Sequence, residues 1–82
     1  MIELLRYDSH KLVKRLGEKL HILRQRHHLT TRELGEQLGV SYVQISHIET
    51  GARKPSANLI LKISLFFNVP VDQLMRDDVE LG

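Results

Sequence analysis

Apolar residues in the first third of the chain recur with the period of an α-helix. Leucines occupy positions i, i+4, i+8 and i+11 between Leu12 and Leu23, so a helix would carry all four on one face. Ser9 precedes this pattern and is a residue type that caps helix N-termini. The spacing therefore predicts a first helix from His10 to His27.

A capping box predicts where the second helix begins. Thr30 and Glu33 have the spacing at which each side chain accepts a hydrogen bond from the backbone of the other. Leu29 and Leu34 flank them as an apolar staple. Gly39 can adopt the left-handed conformation that ends a helix, so the second helix is only two turns long.

The same signal returns directly after this glycine. Ser41 and Gln44 repeat the two positions of the box, and Gly51 is placed to end a third helix near Thr50. Two isoleucines face inward from this helix, so most of its other side chains, including a tyrosine and a valine, point outward. Exposed apolar side chains on a short helix indicate a binding surface for a partner molecule.

Two further helices are predicted in the C-terminal third. Ser56 caps the fourth helix, and Asn68, which tolerates the left-handed conformation, closes it. Its apolar face consists of Leu59, Ile60, Ile63, Phe66 and Phe67. A short fifth helix starts within residues 69–71, where a proline is tolerated in the first turn, and directs Leu74 and Met75 inward.

Every predicted element is helical, so we expect an all-α, compact five-helix bundle whose first helix is extended at its N-terminus. Residues 1–15 form the extension and the start of helix 1, residues 16–75 the helical domain, and residues 76–82 an acidic tail that should fray. The extension carries the apolar side chains Ile2, Leu4, Leu5 and Tyr7. We expect it to cover a surface of its own domain or of a second copy.

Composition excludes several classes of protein. The 82 residues contain no cysteine, which excludes disulfides and thiolate zinc sites, and only 5% of them are aromatic. The longest run without a charged side chain, Gln37 to Ile48, has 12 residues and is too short to span a membrane. The first residues include no apolar stretch long enough for a signal peptide, so we expect a cytoplasmic protein without a membrane partner.

The ionisable residues favour a polyanion partner over an enzyme or a metal site. The net charge is +2 and the pI about 9.2, with seven Lys/Arg against three Asp/Glu in residues 1–28. None of the five histidines pairs with another at i, i+4, and we expect His10 and His21 to be solvated. The sequence has no Gly-rich phosphate loop, nucleophile elbow or candidate catalytic carboxylate pair, so we expect no enzyme activity, cofactor or metal.

Two short capped helices around a glycine turn are typical of a helix-turn-helix, whose second helix enters the major groove of DNA. On the pattern alone, a plain five-helix bundle remains the alternative. The segment from Leu16 to Met75 contains the motif LGVSxxxISxIExGxRxP. With this motif it strongly resembles the Cro/C1-type helix-turn-helix family, the lambda-repressor-like or XRE domains.

The resemblance implies DNA contacts for particular residues. It implies base contacts by Tyr42, Val43, Gln44 and His47, and DNA-backbone contacts by Thr31, Ser41, Thr50, Arg53 and Lys54. Thr31 departs from the glutamine common at its position and reaches less far. Gln44 could pair with adenine, and Val43 or Tyr42 could pack on a thymine methyl group, so we expect A/T pairs at the contacted positions.

The resemblance also implies two structural features. Gly35, where alanine is commoner, should let the second and third helices approach closely. Arg24 and Glu49 match an ion pair that joins helix 1 to the end of the third helix, the alternative being two solvated surface charges. His27 and His28 replace the usual turn residues of the family.

The implied function is a sequence-specific transcriptional regulator, a repressor that binds a two-fold operator in double-stranded DNA as a homodimer through its third helix. A protein-interaction module is the alternative, for instance an antitoxin with a toxin as partner and secondary DNA binding. A restriction-modification controller protein would be a variant of the first reading. Selective, salt-dependent duplex binding would favour the regulator, and co-purification with a toxin would favour the antitoxin.

Overall fold

The structure, a computed structural model, describes residues 13–82, and these form five helices and no β-strand. The helices are α1 (Leu16–Arg26), α2 (Thr31–Leu38), α3 (Tyr42–Glu49), α4 (Ala57–Phe67) and α5 (Val71–Met75). The prediction of an all-α fold is confirmed. The predictions for Ser9, His10 and the apolar extension fall outside the described residues.

The helix ends follow the local signals of the sequence. Ser56 accepts a hydrogen bond from the Leu59 N–H and caps α4. Asn68 closes the same helix in the left-handed conformation, with φ 54°. Gly51 has φ 82° just beyond the end of α3, as its residue type predicts.

The start of α1 differs from the prediction. Val13 has φ 66°, residues 13–15 form a bend, and the helix begins only at Leu16. The Val13 N–H donates to the Met75 carbonyl at 2.6 Å, and the Asp77 carboxylate accepts hydrogen bonds from the N–H groups of Lys14 and Arg15 at 3.2 and 2.8 Å. The predicted helix is therefore wrong over residues 13–15, because the C-terminal segment takes the backbone donors that a longer helix would use.

The acidic tail does not fray, which corrects a second prediction. The Arg15 guanidinium donates to both carboxylate oxygens of Glu80, at 2.7 and 3.0 Å, and to the Asp77 carbonyl at 2.9 Å. At the other end of α1, Arg26 donates to the Gly82 carbonyl at 2.9 Å. Because basic side chains of α1 lie opposite it, the acidic segment folds along this helix.

Lys19 is the one charged side chain that the described residues bury completely. Its ammonium group donates to three carbonyl oxygens, those of Gln73 at 2.5 Å, Arg76 at 2.7 Å and Val79 at 2.6 Å. Burial lowers the pKa of Lys19 from its ordinary value. The ammonium group uses all three of its donors, so α1 is bound to the end of α5 and to the tail.

The core is formed by apolar side chains from all five helices. It contains Leu16, Leu20, Leu23, Leu34, Leu38, Ile45, Ile48, Leu59, Ile60, Ile63, Phe67 and Leu74. Phe66, predicted to belong to the buried face of α4, is exposed instead. It lies at the edge of the apolar stripe and packs edge-on against Phe67, with ring centroids 4.9 Å apart. Met75 is only partly buried against this core.

Two glycines permit close backbone contacts around α3. A Cβ atom on Gly35 would lie 2.6 Å from the Val40 carbonyl oxygen, which agrees with the expectation of close approach. A Cβ atom on Gly17 would overlap the Ile48 carbonyl oxygen and lie 2.8 Å from that of Glu49. Gly17, which no sequence pattern indicated, lets α1 pack closely against the end of α3.

Within residues 13–82, no helix is long and apolar enough to cross a membrane.

Candidate nucleic-acid interface

The predicted capping box fixes the start of α2. The Thr30 hydroxyl oxygen accepts a hydrogen bond from the Glu33 N–H at 3.0 Å, and the Glu33 carboxylate accepts one from the Thr30 N–H at 2.9 Å. The hydrogen bond from the Thr30 N–H to the carboxylate, followed by the effect of the Thr30 side chain, lowers the pKa of Glu33. Thr31, a candidate phosphate contact, is the first residue of this anchored helix and is partly buried.

A tight turn separates α2 from α3. Gly39 adopts the left-handed conformation with φ 74°, and the Val40 N–H donates to the Gly35 carbonyl at 2.9 Å. The Ser41 hydroxyl oxygen then accepts a hydrogen bond from the Gln44 N–H at 3.2 Å. The Ser41 half of the second predicted box is therefore formed. Both helices have capped starts, and the connection between them is only three residues long, so α3 is held close against α2.

The third helix presents the candidate base-contacting residues outward. Ile45 and Ile48 are buried and anchor the helix, whereas Tyr42 and Val43 are 42% and 45% exposed. His47 is also exposed and stands one turn beyond Val43. Gln44, the fourth candidate, is half-buried. The structure thus places Tyr42, Val43 and His47 in solvent and Gln44 at the margin of their surface.

The candidate phosphate contacts flank the ends of α3. Ser41 lies exposed at its start, and Arg53 and Lys54 lie exposed in the loop after it. The Arg53 N–H donates to the His47 carbonyl at 3.1 Å, which folds this loop back on the helix. Thr50 uses its hydroxyl proton on the same carbonyl at 3.2 Å, so its hydroxyl would have to rotate before it could donate to a phosphate.

A contact between Arg32 and Tyr42, which the sequence did not predict, joins the starts of α2 and α3. The Arg32 guanidinium carbon lies 4.3 Å from the centroid of the Tyr42 ring, within the range of a cation–π contact. Arg32 belongs to α2 and Tyr42 begins α3. The two residues are ten positions apart, and no helical spacing or motif in the sequence indicates their contact.

The ion pair that the resemblance implied is present and joins α1 to the end of α3. The Arg24 guanidinium donates to both Glu49 carboxylate oxygens, at 2.7 and 3.0 Å, and to the Leu29 carbonyl at 2.9 Å. The two side chains are 15% and 8% exposed, so the pair is largely buried. Burial acts to raise the pKa of Glu49, but the hydrogen bonds and charges of Arg24 and His21 lower it below its ordinary value.

His21 takes part in this cluster and is not simply solvated, which corrects the prediction. Its Nδ1 atom lies 2.8 Å from a Glu49 carboxylate oxygen and 3.1 Å from Arg24 Nη2. The spacing of three residues between His21 and Arg24 on α1 was the sequence signal that could have predicted their contact.

Within residues 13–82, no group of three or more His, Cys, Asp or Glu side chains is placed to hold a metal ion.

Comparisons with known sequences agree with this geometry. A family model described as helix-turn-helix matches residues 20–74. The chain is 41% identical over 59 residues to the uncharacterized HTH-type transcriptional regulator MJ0272 of Methanocaldococcus jannaschii, a match that covers 72% of this chain and 89% of that protein.

Other relatives are longer than this chain. It is 43% identical over 62 residues to the HTH-type transcriptional activator BcrR of Enterococcus faecalis, covering 76% of this chain and 30% of that protein. It is 33% identical over 63 residues to the HTH-type transcriptional regulator ImmR of Bacillus subtilis, covering 77% of this chain and 50% of that protein. The shared region in both is thus only part of the relative.

Solved structures share the fold. The chain is similar to the P22 c2 repressor protein, determined in complex with a synthetic operator, at a TM-score of 0.72 and 28% identity over 77% of this chain and 96% of that one. It also has the fold of a transcriptional regulator from Listeria innocua, at a TM-score of 0.70 and 23% identity over 73% of this chain and 56% of that one.

Proposed function

The chain belongs to the Cro/C1-type helix-turn-helix family of DNA-binding transcriptional regulators, and we propose that it is a repressor that binds a two-fold operator as a homodimer. One observation carries the proposal. The α3 helix is anchored by two buried isoleucines, and it turns Tyr42, Val43 and His47 into solvent. Because the helix is anchored with these side chains exposed, we interpret them as a binding surface.

The geometry of α3 suits the major groove of DNA. The groove is about 12 Å wide and admits one helix, and its base edges carry a distinct pattern for each base pair. The start of α3 would enter first, because its unpaired N–H groups and positive dipole end favour the nearby phosphates. Tyr42, Val43 and Gln44 lie in this first turn and His47 in the second.

Base and backbone contacts are divided among the proposed site residues. Tyr42, Val43, Gln44 and His47 would read base pairs, with a preference for A/T pairs. The DNA backbone would be bound by Thr31, Ser41, Thr50, Arg53 and Lys54. These contacts fix the position of the helix but do not read the base sequence. Arg53 and Lys54 supply the positive charge of this set, and both are exposed.

A two-fold operator requires two copies of the chain. Leu61, Leu65 and Phe66 of α4 are 50%, 72% and 39% exposed, and they offer an apolar surface that a second copy could cover. Sedimentation should show a dimer that Leu65→Glu dissociates. Deletion of residues 1–8 in the same assay tests the predicted contribution of the extension. A monomer at every concentration would contradict the dimer.

The proposed direction of regulation is repression. One relative is named an activator, whereas one structural neighbour is a repressor in complex with a synthetic operator. We favour repression because a helix seated in the major groove blocks other proteins from the same DNA. The proposed activity needs no enzyme chemistry or cofactor, and the proposed location is the cytoplasm.

Substitutions at α3 test the proposal directly. Val43→Ala should weaken binding to the preferred duplex by about 1–3 kcal/mol and relax the base preference there. Lys54→Ala should weaken binding to all duplexes alike and lower the salt slope by about 1 per site. Unchanged binding of both variants to preferred and random duplexes would show that α3 is not the reader.

A further inference from the structure

Arg32, at the start of α2, has a positive charge that no ion pair within the described residues neutralises. It is the second residue of that helix and is exposed. Within residues 13–82, no carboxylate lies within ion-pair distance of its guanidinium. Its neighbour Glu33 is held in the capping box by the Thr30 N–H. The contact that Arg32 does make is with the ring of Tyr42.

Stacking leaves the donors of an arginine free. A guanidinium that lies over a ring uses its flat face, and its five N–H donors point outward in the guanidinium plane. These donors match the oxygens of a phosphate, which arginine binds through two parallel hydrogen bonds. Thr31, the candidate phosphate contact beside it, has a short side chain that is partly buried. Arg32 therefore supplies the longer reach that this helix end otherwise lacks.

We propose that Arg32 binds a DNA backbone phosphate and at the same time holds the Tyr42 ring in position for its base, so that the two contacts form as one unit. This inference rests on the proposed function, because it requires α3 to read base pairs. Tyr42 is 42% exposed and begins the helix, and the Arg32 guanidinium lies over its ring. Arg32 would thus be a positioning residue for a base contact as well as a backbone contact.

The test measures affinity, salt slope and selected sequence for Arg32→Ala, Arg32→Lys, Tyr42→Leu and the double variant. Arg32→Ala should bind the preferred duplex about tenfold more weakly and lower the salt slope by about 1. Arg32→Lys should restore the salt slope but not the base preference at the pair that Tyr42 contacts, because lysine is a point charge that stacks poorly. The double variant should lose less affinity than the product of the two single losses.

Arg53 provides the matched control. It is an exposed arginine beside the same helix, and it contacts no ring within the described residues. The losses of Arg53→Ala and Tyr42→Leu should therefore multiply, whereas those of Arg32→Ala and Tyr42→Leu should not. In the free protein, the ring should shift the Arg32 side-chain proton resonances upfield, and Tyr42→Leu should abolish this shift. Unchanged melting temperatures would show that the variants are folded.

The outcomes separate this inference from the proposed function. If the parent chain prefers its selected duplex but the Arg32 and Tyr42 losses multiply, the coupling is absent and the inference is overturned. It is equally overturned if Arg32→Ala leaves the salt slope unchanged. If the parent chain binds selected and random duplexes alike, the proposed function fails and the inference fails with it.

Discussion

Removal of the Glu49 carboxylate tests the connection between α1 and the recognition helix. Glu49→Ala would leave the Arg24 guanidinium with the Leu29 carbonyl and His21 Nδ1 as its protein partners. Breaking a buried pair by removing one partner costs about 3–5 kcal/mol. Because Arg24 is 15% exposed and keeps its contacts with the Leu29 carbonyl and His21, we expect the lower end, about 3 kcal/mol. This loss is large against the roughly 5–15 kcal/mol that stabilises a typical domain.

A urea titration of the free energy of unfolding measures this loss. Glu36→Ala is the matched control, because Glu36 is an exposed carboxylate of α2. The control should change the free energy of unfolding by less than about 0.5 kcal/mol. If Glu49→Ala also loses less than about 0.5 kcal/mol, the pair acts as a surface contact and the reasoning from its burial is refuted.

Three further predictions concern stability. Gly35→Ala should destabilise the chain in the same titration, even though alanine favours helices by about 1 kcal/mol, because the new Cβ would meet the Val40 carbonyl oxygen at 2.6 Å; a gain in stability would contradict this. Deletion of residues 77–82 should lower the melting temperature, because Lys19 loses the Val79 carbonyl from its buried site; an unchanged value would mean that the tail contributes nothing. Because the pKa of Glu49 is lowered in the folded chain, its contribution to the free energy of unfolding is complete above the unfolded pKa of about 4.3 and is lost as the pH falls through the folded value. In an acid titration, the free energy of unfolding of Glu49→Gln should therefore fall less steeply than that of the parent.

Local signals predicted the helix-turn-helix well. The capping box at Thr30, the left-handed Gly39 and the Ser41 cap each depend on residues within one turn of one another. Such features are set by short stretches of chain, so a sequence pattern is enough to locate them. The same is true of Ser56 and Asn68 at the ends of α4.

The features that could not be predicted from the sequence depend on contacts between residues far apart in the chain. Leucine spacing indicated a helix through Val13, but hydrogen bonds with Met75 and Asp77 bend the backbone there. Lys19 follows Leu16 by three residues and precedes Leu23 by four, so it lies at the edge of the apolar face, but only the fold shows that three carbonyls surround its ammonium group. Tertiary contacts of this kind leave no periodic trace in the sequence.

The candidate site was likewise predicted only in part. The resemblance named the residues of α3, and the structure shows which of them are exposed. It could not name Arg32, because the contact with Tyr42 crosses from one helix to the next. The role of His21 beside Glu49 likewise appears only once α1 is packed against the end of α3.

Selection of bound sites from a random pool of duplexes tests the central claim most directly. If α3 reads the major groove as part of a dimer, the pool should converge on two inverted half-sites whose centres lie about 34 Å, one helical turn, apart. A/T pairs should be enriched at the positions that Val43 and Gln44 contact, and alanine at either residue should relax them. A pool that remains random, or that converges equally well with both residues replaced, would contradict the account.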